Sequence, residues 1–125
     1  MLRSTLQKYA AMQQLAADTM QFIQSYIQVG QTVDQIKTLC ETYMLANGAQ
    51  SFWYYDVGAL VFHHLDTLLS VSGREYVPAH TCIQSNDMIT IDLSPQRRRI
   101  WGDFARTFVV QNGQVVRRLD DIREA

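Results

Sequence analysis

The strongest constraint on the fold is a change of hydrophobic period at Asn47-Gly48. Before that pair, apolar residues recur at steps of three and four. Beyond it they come in short aromatic or β-branched runs separated by Asp and Gly. A 3.6-residue period buries one stripe of a helix and a period of two buries one face of a strand, so each pattern selects its own conformation. The chain therefore reads as α+β, with two N-terminal helices packed on one face of a mainly antiparallel, curved sheet.

Leu2, Leu6, Tyr9, Met12, Ala16, Met20, Ile23 and Ile27 predict one long amphipathic helix ending at Gly30. Its polar face is largely glutamine: Gln7, Gln13, Gln14, Gln21, Gln24 and Gln28. Thr32 with Gln35 has the form of a capping box and starts a second helix. That helix carries Val33, Ile36, Leu39, Cys40 and Tyr43 inward and stops at Asn47-Gly48, a pair suited to a left-handed helix end. Short strands are expected at 52–55, 59–62 and 68–71. A long hairpin is expected from 88–93 through a turn at 94–98 into 100–110, closed by Asn112-Gly113. From Val115 onward the pattern predicts a further amphipathic helix.

A chain of 125 residues, 47% hydrophobic and 18% charged, supports a single core, so 1–125 is taken as one domain and disordered or collagen-like classes are excluded. The net charge of -1 provides no global field to recruit nucleic acid or an anionic membrane. Arg97, Arg98 and Arg99 are then best read as a solvated hairpin tip. Apolar runs such as 59–62 are far shorter than the roughly 20 residues of a membrane helix. Cys40 and Cys82 are too few for a disulfide framework, and Cys82 lacks the partners of a zinc site, so a cytoplasmic location is expected.

Two acids interrupt otherwise apolar strands. Asp92 sits in Ile89-Thr90-Ile91-Asp92-Leu93, and Asp103 follows Trp101-Gly102 on the returning strand, eleven positions later. A carboxylate in a half-buried strand is costly unless paired or bound to a cation. A hairpin folds such a separation back onto one face, where two hard oxygen ligands suit a divalent cation. The competing reading pairs Asp103 with Arg106 or with one of the three hairpin arginines.

The string Asn86-Asp87-Met88-Ile89-Thr90-Ile91-Asp92-Leu93-Ser94, followed by Gly102-Asp103-Phe104-Ala105-Arg106-Thr107-Phe108, resembles the metal-binding hairpin of the pita-bread metallopeptidases. That superfamily includes methionine aminopeptidases, Xaa-Pro aminopeptidases, prolidases and creatinase. The resemblance implies half of a pita-bread domain and a metal-dependent exopeptidase hydrolysing N-terminal peptide bonds. It makes Asp92 a chelating ligand, Asp103 a bridging ligand and Thr107 their neighbour, around two divalent ions (Mn, Co, Zn or Fe). It also implies a substrate-facing catalytic histidine. His63 is favoured for that role over His64 and His80, although its distance from Asp92 requires an insertion around 68–77. Ser94 replaces the family's glycine. The family completes its centre with a histidine and two glutamates from a second half, which these 125 residues do not provide. The expectation is an incomplete catalytic half with weakly held or absent metals, whose partners are a peptide substrate and either the missing half or a second copy. The alternative is a non-catalytic module that binds peptides or proteins.

Overall fold

The structure is a computed structural model that describes residues 2–64, 76 and 80–116. Helix α1 spans Leu2–Gln24 and buries Met12, Leu15, Ala16, Thr19, Met20 and Ile23, so the expected stripe faces the core from Met12 onward, whereas Leu2 and Leu6 at its start are exposed. It stops short of Gly30. Ser25 and Tyr26 donate to the carbonyls three residues back, tightening the last turn, and Ile27 drops into the core. The backbone from Gly30 then pairs elsewhere: Gly30 N–H donates to Ile83 O at 2.9 Å and Ile83 N–H to Gln31 O at 2.8 Å. A long-range pairing has displaced the last helical turn.

Helix α2 spans Val33–Ala46 and starts with both arms of the capping box formed between Thr32 and Gln35. It ends at Asn47, with Gly48 at φ +128°. Val33, Ile36, Cys40 and Met44 are its buried side chains, with Leu39 and Tyr43 partly buried against the same core.

Among the described residues seven strands follow: β1 Ser51–Phe52, β2 Ala59–His63, β3 Asp87–Leu93, β4 Pro95–Arg97, β5 Ile100–Trp101, β6 Phe104–Gln111 and β7 Gln114–Val116. They form two antiparallel sheets, ordered β2-β3-β6-β7 and β1-β4-β5. In the larger sheet Ile89, Ile91 and Leu93 face the helices together with Ala59 and Val61 of β2 and Phe108 and Val110 of β6. Truncating a fully buried member such as Ile91 to alanine costs about 2–5 kcal/mol.

Several expectations are corrected. Only Ser51–Phe52 of the first aromatic run is strand, because 53–56 turn, with Tyr55 and Asp56 at φ +49° and +59°. The turn expected at 94–98 is instead a small hairpin, β4 with β5, lying in the second sheet, while β3 and β6 pair directly. The strand expected over 100–110 breaks at Gly102-Asp103, where the chain presses on α1. Val115 and Val116 belong to β7 rather than to a helix, because Val115 pairs with Val110. The strand expected at 68–71, and the helix beyond 116, lie outside the described residues. No helix among the described residues is long and apolar enough to cross a membrane.

Candidate metal centre on the open sheet face

Strand alternation divides the larger sheet into two faces. Opposite the core lie Leu60 and Phe62 of β2, Met88, Thr90 and Asp92 of β3, and Ala105, Thr107 and Val109 of β6. Within the described residues this face is partly uncovered: Met88 is 37% exposed, and Ala105 and Thr107 are also exposed, whereas Leu60 is buried and Phe62 packs against the Tyr76 ring.

Asp92 stands on this face between Leu60 and Ala105, and Asp103 ends the connection that leads into β6. The two line one pocket of about 330 Å³ with Trp53, Tyr54, Val57, Leu60 and Ser94. Burial pushes the Asp92 carboxyl up to about 6; the charge of Asp103 and a hydrogen bond between the two carboxyls push in the same direction. Among the described residues neither aspartate forms an ion pair with a base, and Arg106 instead lies over the Phe104 ring at 4.1 Å. Two adjacent carboxyls, of which Asp103 raises the proton affinity of Asp92, with no basic partner among the described residues, form a donor set that a hard divalent cation neutralises. No group of three or more metal-binding side chains forms among the described residues, so this donor set is a partial one.

The position of Asp103 is set by helix α1. The Gln13 amide donates to Asp103 O at 2.6 Å, and its oxygen accepts from Asp103 N–H at 3.0 Å. Trp53 Nε1 donates to Gly102 O at 2.7 Å. A methyl group at Gly102 would lie 2.5 Å from the Met12 carbonyl oxygen, so only glycine permits this approach. By the period of α1 alone, Gln13 belongs to the solvated face. Periodicity carries no signal for a side chain that clamps a backbone 90 positions away. On the other side of the pocket Ser94 donates through Oγ to Val57 O at 2.6 Å, and Glu41 accepts from Gly58 N–H at 2.7 Å, fixing the entry to β2.

His63 is not brought to this pocket. It pairs with Ile89, so its side chain points to the core face, where Nδ1 meets Asp87 Oδ2 at 2.9 Å and Nε2 meets Thr81 Oγ1 at 2.6 Å. Burial pushes the Asp87 carboxyl up. Hydrogen bonds from His63 and from the backbone N–H groups of Gln84 and Met88, together with the charge of His63, outweigh that and hold it below the usual value. The substrate-facing position expected for His63 therefore does not coincide with the aspartates, because strand register sends odd-numbered β2 residues inward. His64 is exposed at φ +56°, and His80 is exposed with Nδ1 3.9 Å from Asp34. Thr107 shares the aspartate face, its hydroxyl 3.0 Å from that of Thr90.

Residues 7–125 match metallopeptidase family M24. The chain belongs to that family. The solved structures it resembles include a Xaa-Pro dipeptidase from Bacillus anthracis, at 22% identity and TM-score 0.74, with 89% of this chain and 29% of that one covered. An X-Pro aminopeptidase from Thermotoga maritima MSB8 matches at 17% identity and TM-score 0.72, covering 86% and 28%. A methionine aminopeptidase from Rickettsia prowazekii matches at 19% and 0.69, covering 90% and 44%. The fold of this M24 chain is thus α+β, half of a pita-bread domain, and it spans less than half the length of each of these structures. No curated protein matches it closely enough to count as a relative.

Proposed function

We propose that this M24 chain is the Asp92–Asp103 half of a dinuclear metal centre in a peptidase that hydrolyses N-terminal peptide bonds, of the aminopeptidase or Xaa-Pro dipeptidase kind. The observation that carries this reading is the convergence of the two carboxyls on one pocket without a compensating base. When bound, divalent ions supply Lewis acidity for hydrolysis at neutral pH. Asp92, rooted in β3, and Asp103, clamped by Gln13, hold the metals. Trp53 and Tyr54 wall the pocket and receive an apolar side chain of the peptide. Two carboxylates leave each ion short of ligands, so the remainder comes from a second half packed on the partly uncovered sheet face or from a second copy of the chain.

The test is Mn²⁺ titration of the isotope-labelled chain. Paramagnetic broadening of amides around Asp92 and Asp103, lost in Asp103→Asn, is the expected result, and broadening that ignores the substitution refutes the site. Assayed alone on N-terminal methionine and Xaa-Pro peptides with Mn²⁺, Co²⁺ or Zn²⁺, the chain is expected to be inactive. Turnover that saturates with metal and vanishes in Asp103→Asn would mean that two copies complete one centre.

A further inference from the structure

A second cleft, of about 660 Å³, lies between α1 and the β4-β5 hairpin and shares no residue with the aspartate pocket. Its floor is Ala11, Met12 and Ile100, and its rim is Lys8, Arg97, Arg98 and Arg99. Arg97 and Ile100 are directly opposed across β4 and β5, so the hairpin turns one arginine and the floor isoleucine toward the same side. None of the four cations forms an ion pair among the described residues. A chain of net charge -1 therefore carries a local field of four positive charges over an apolar trough.

The arginine tip is held in place. Arg98 N–H donates to the Gln50 side-chain oxygen at 3.0 Å, Gln50 N–H donates to Gln96 O at 2.8 Å, and the Arg97 guanidinium donates to Gly48 O at 3.3 Å. Arg98 itself sits at φ +51°, a left-handed value uncommon outside glycine. Tethering the tip to the end of α2 lowers the ordering cost of binding there.

We propose that this cleft docks an acidic peptide segment of a partner protein, with an apolar side chain on the Ala11-Met12-Ile100 floor and flanking carboxylates on Lys8 and Arg97 to Arg99. The floor decides between polyanions. A sugar-phosphate backbone would desolvate against methionine, alanine and isoleucine without gaining contacts, whereas a segment alternating acidic and aliphatic residues satisfies both floor and rim.

The experiment is fluorescence anisotropy of the 125-residue chain with a labelled short peptide alternating glutamate and leucine. The comparison probes are the same peptide with glutamine for glutamate, and oligothymidylate. The acidic peptide is expected to bind at least about tenfold more tightly than the glutamine peptide and to weaken with salt. The double substitution Arg98→Glu and Arg99→Glu should weaken it at least about tenfold, and Ala11→Phe, which fills the trough from an exposed helix position, about fivefold. No binding, equal binding of the two peptides, or indifference to Ala11→Phe overturns the proposal. Tighter binding of oligothymidylate overturns it in favour of a nucleic-acid patch. The wild-type comparison of peptides decides the matter even if a variant fails to fold.

Discussion

Asp103→Asn should stabilise the metal-free chain at neutral pH while removing its affinity for metal. The Asp92 carboxyl is raised to about 6 by burial first, then by the charge of Asp103 and the hydrogen bond between them. Against an ordinary carboxylate the displacement is about two pH units, a ceiling of about 3 kcal/mol. Burial survives the substitution and the pocket is partly solvated, so the share returned by deleting the Asp103 charge is about 1 kcal/mol. The sign follows from proton binding. Between the ordinary carboxylate value and about 6 the native state holds a proton that the unfolded chain has released, so stability falls as pH rises through this window and is level above it. In Asp103→Asn that fall is shallower. The variant should match wild type near pH 4 and exceed it by about 1 kcal/mol near pH 7.5, or about 4 °C in Tm. Thermal unfolding across that range in chelator, with NMR titration of the Asp92 carboxyl carbon, measures both effects; adding Mn²⁺ should stabilise wild type alone. An unchanged Tm at pH 7.5, or an Asp92 that titrates as an ordinary carboxylate in the wild type, would refute the convergence of the two groups.

Gln13→Met keeps the length of the side chain but removes both bonds to the Asp103 backbone, so it should cost about 1–2 kcal/mol by chemical denaturation and weaken Mn²⁺ broadening at Asp92. Gly102→Ala forces its methyl against the Met12 carbonyl and should cost about 2–4 kcal/mol, read as a lower denaturation midpoint at unchanged slope. Asp87, held below the usual carboxylate value, contributes stability that is complete above the unfolded-state value and lost as pH falls through the native one. Asp87→Asn should therefore flatten the acid limb of the stability profile and lower stability at pH 7, and an unaltered acid limb would exclude the His63 pairing.

Features set by chemistry within a few residues are legible in the amino-acid sequence. The Thr32-Gln35 capping box and the Asn47-Gly48 helix end depend on side chains and φ values local to the site, and both form as read. The return of the chain from Asp92 toward Asp103 is legible because β3 and β6 pair as an antiparallel hairpin, with Asp92 opposite Ala105. The end of α1 is not, because residues 30–32 are claimed by a segment some 50 positions away. Nor is the β4-β5 excursion, whose break at Gly102 exists only because α1 lies against it.

Hydrophobic period and turn chemistry act locally, so the α+β class, the boundaries of α2 and the placing of Asp92 on an otherwise apolar strand follow from the order of residues alone. Which face each residue serves is settled by how the strands pair. A shift of one position in the β2-β3 register exchanges inside for outside, so the observed pairing of His63 with Ile89 turns the histidine toward Asp87 and leaves Asp92 facing outward. The clamp of Gln13 on Asp103 and the arginine-lined cleft likewise arise where α1 meets a hairpin about 90 residues on, and no local pattern specifies a contact made at that distance.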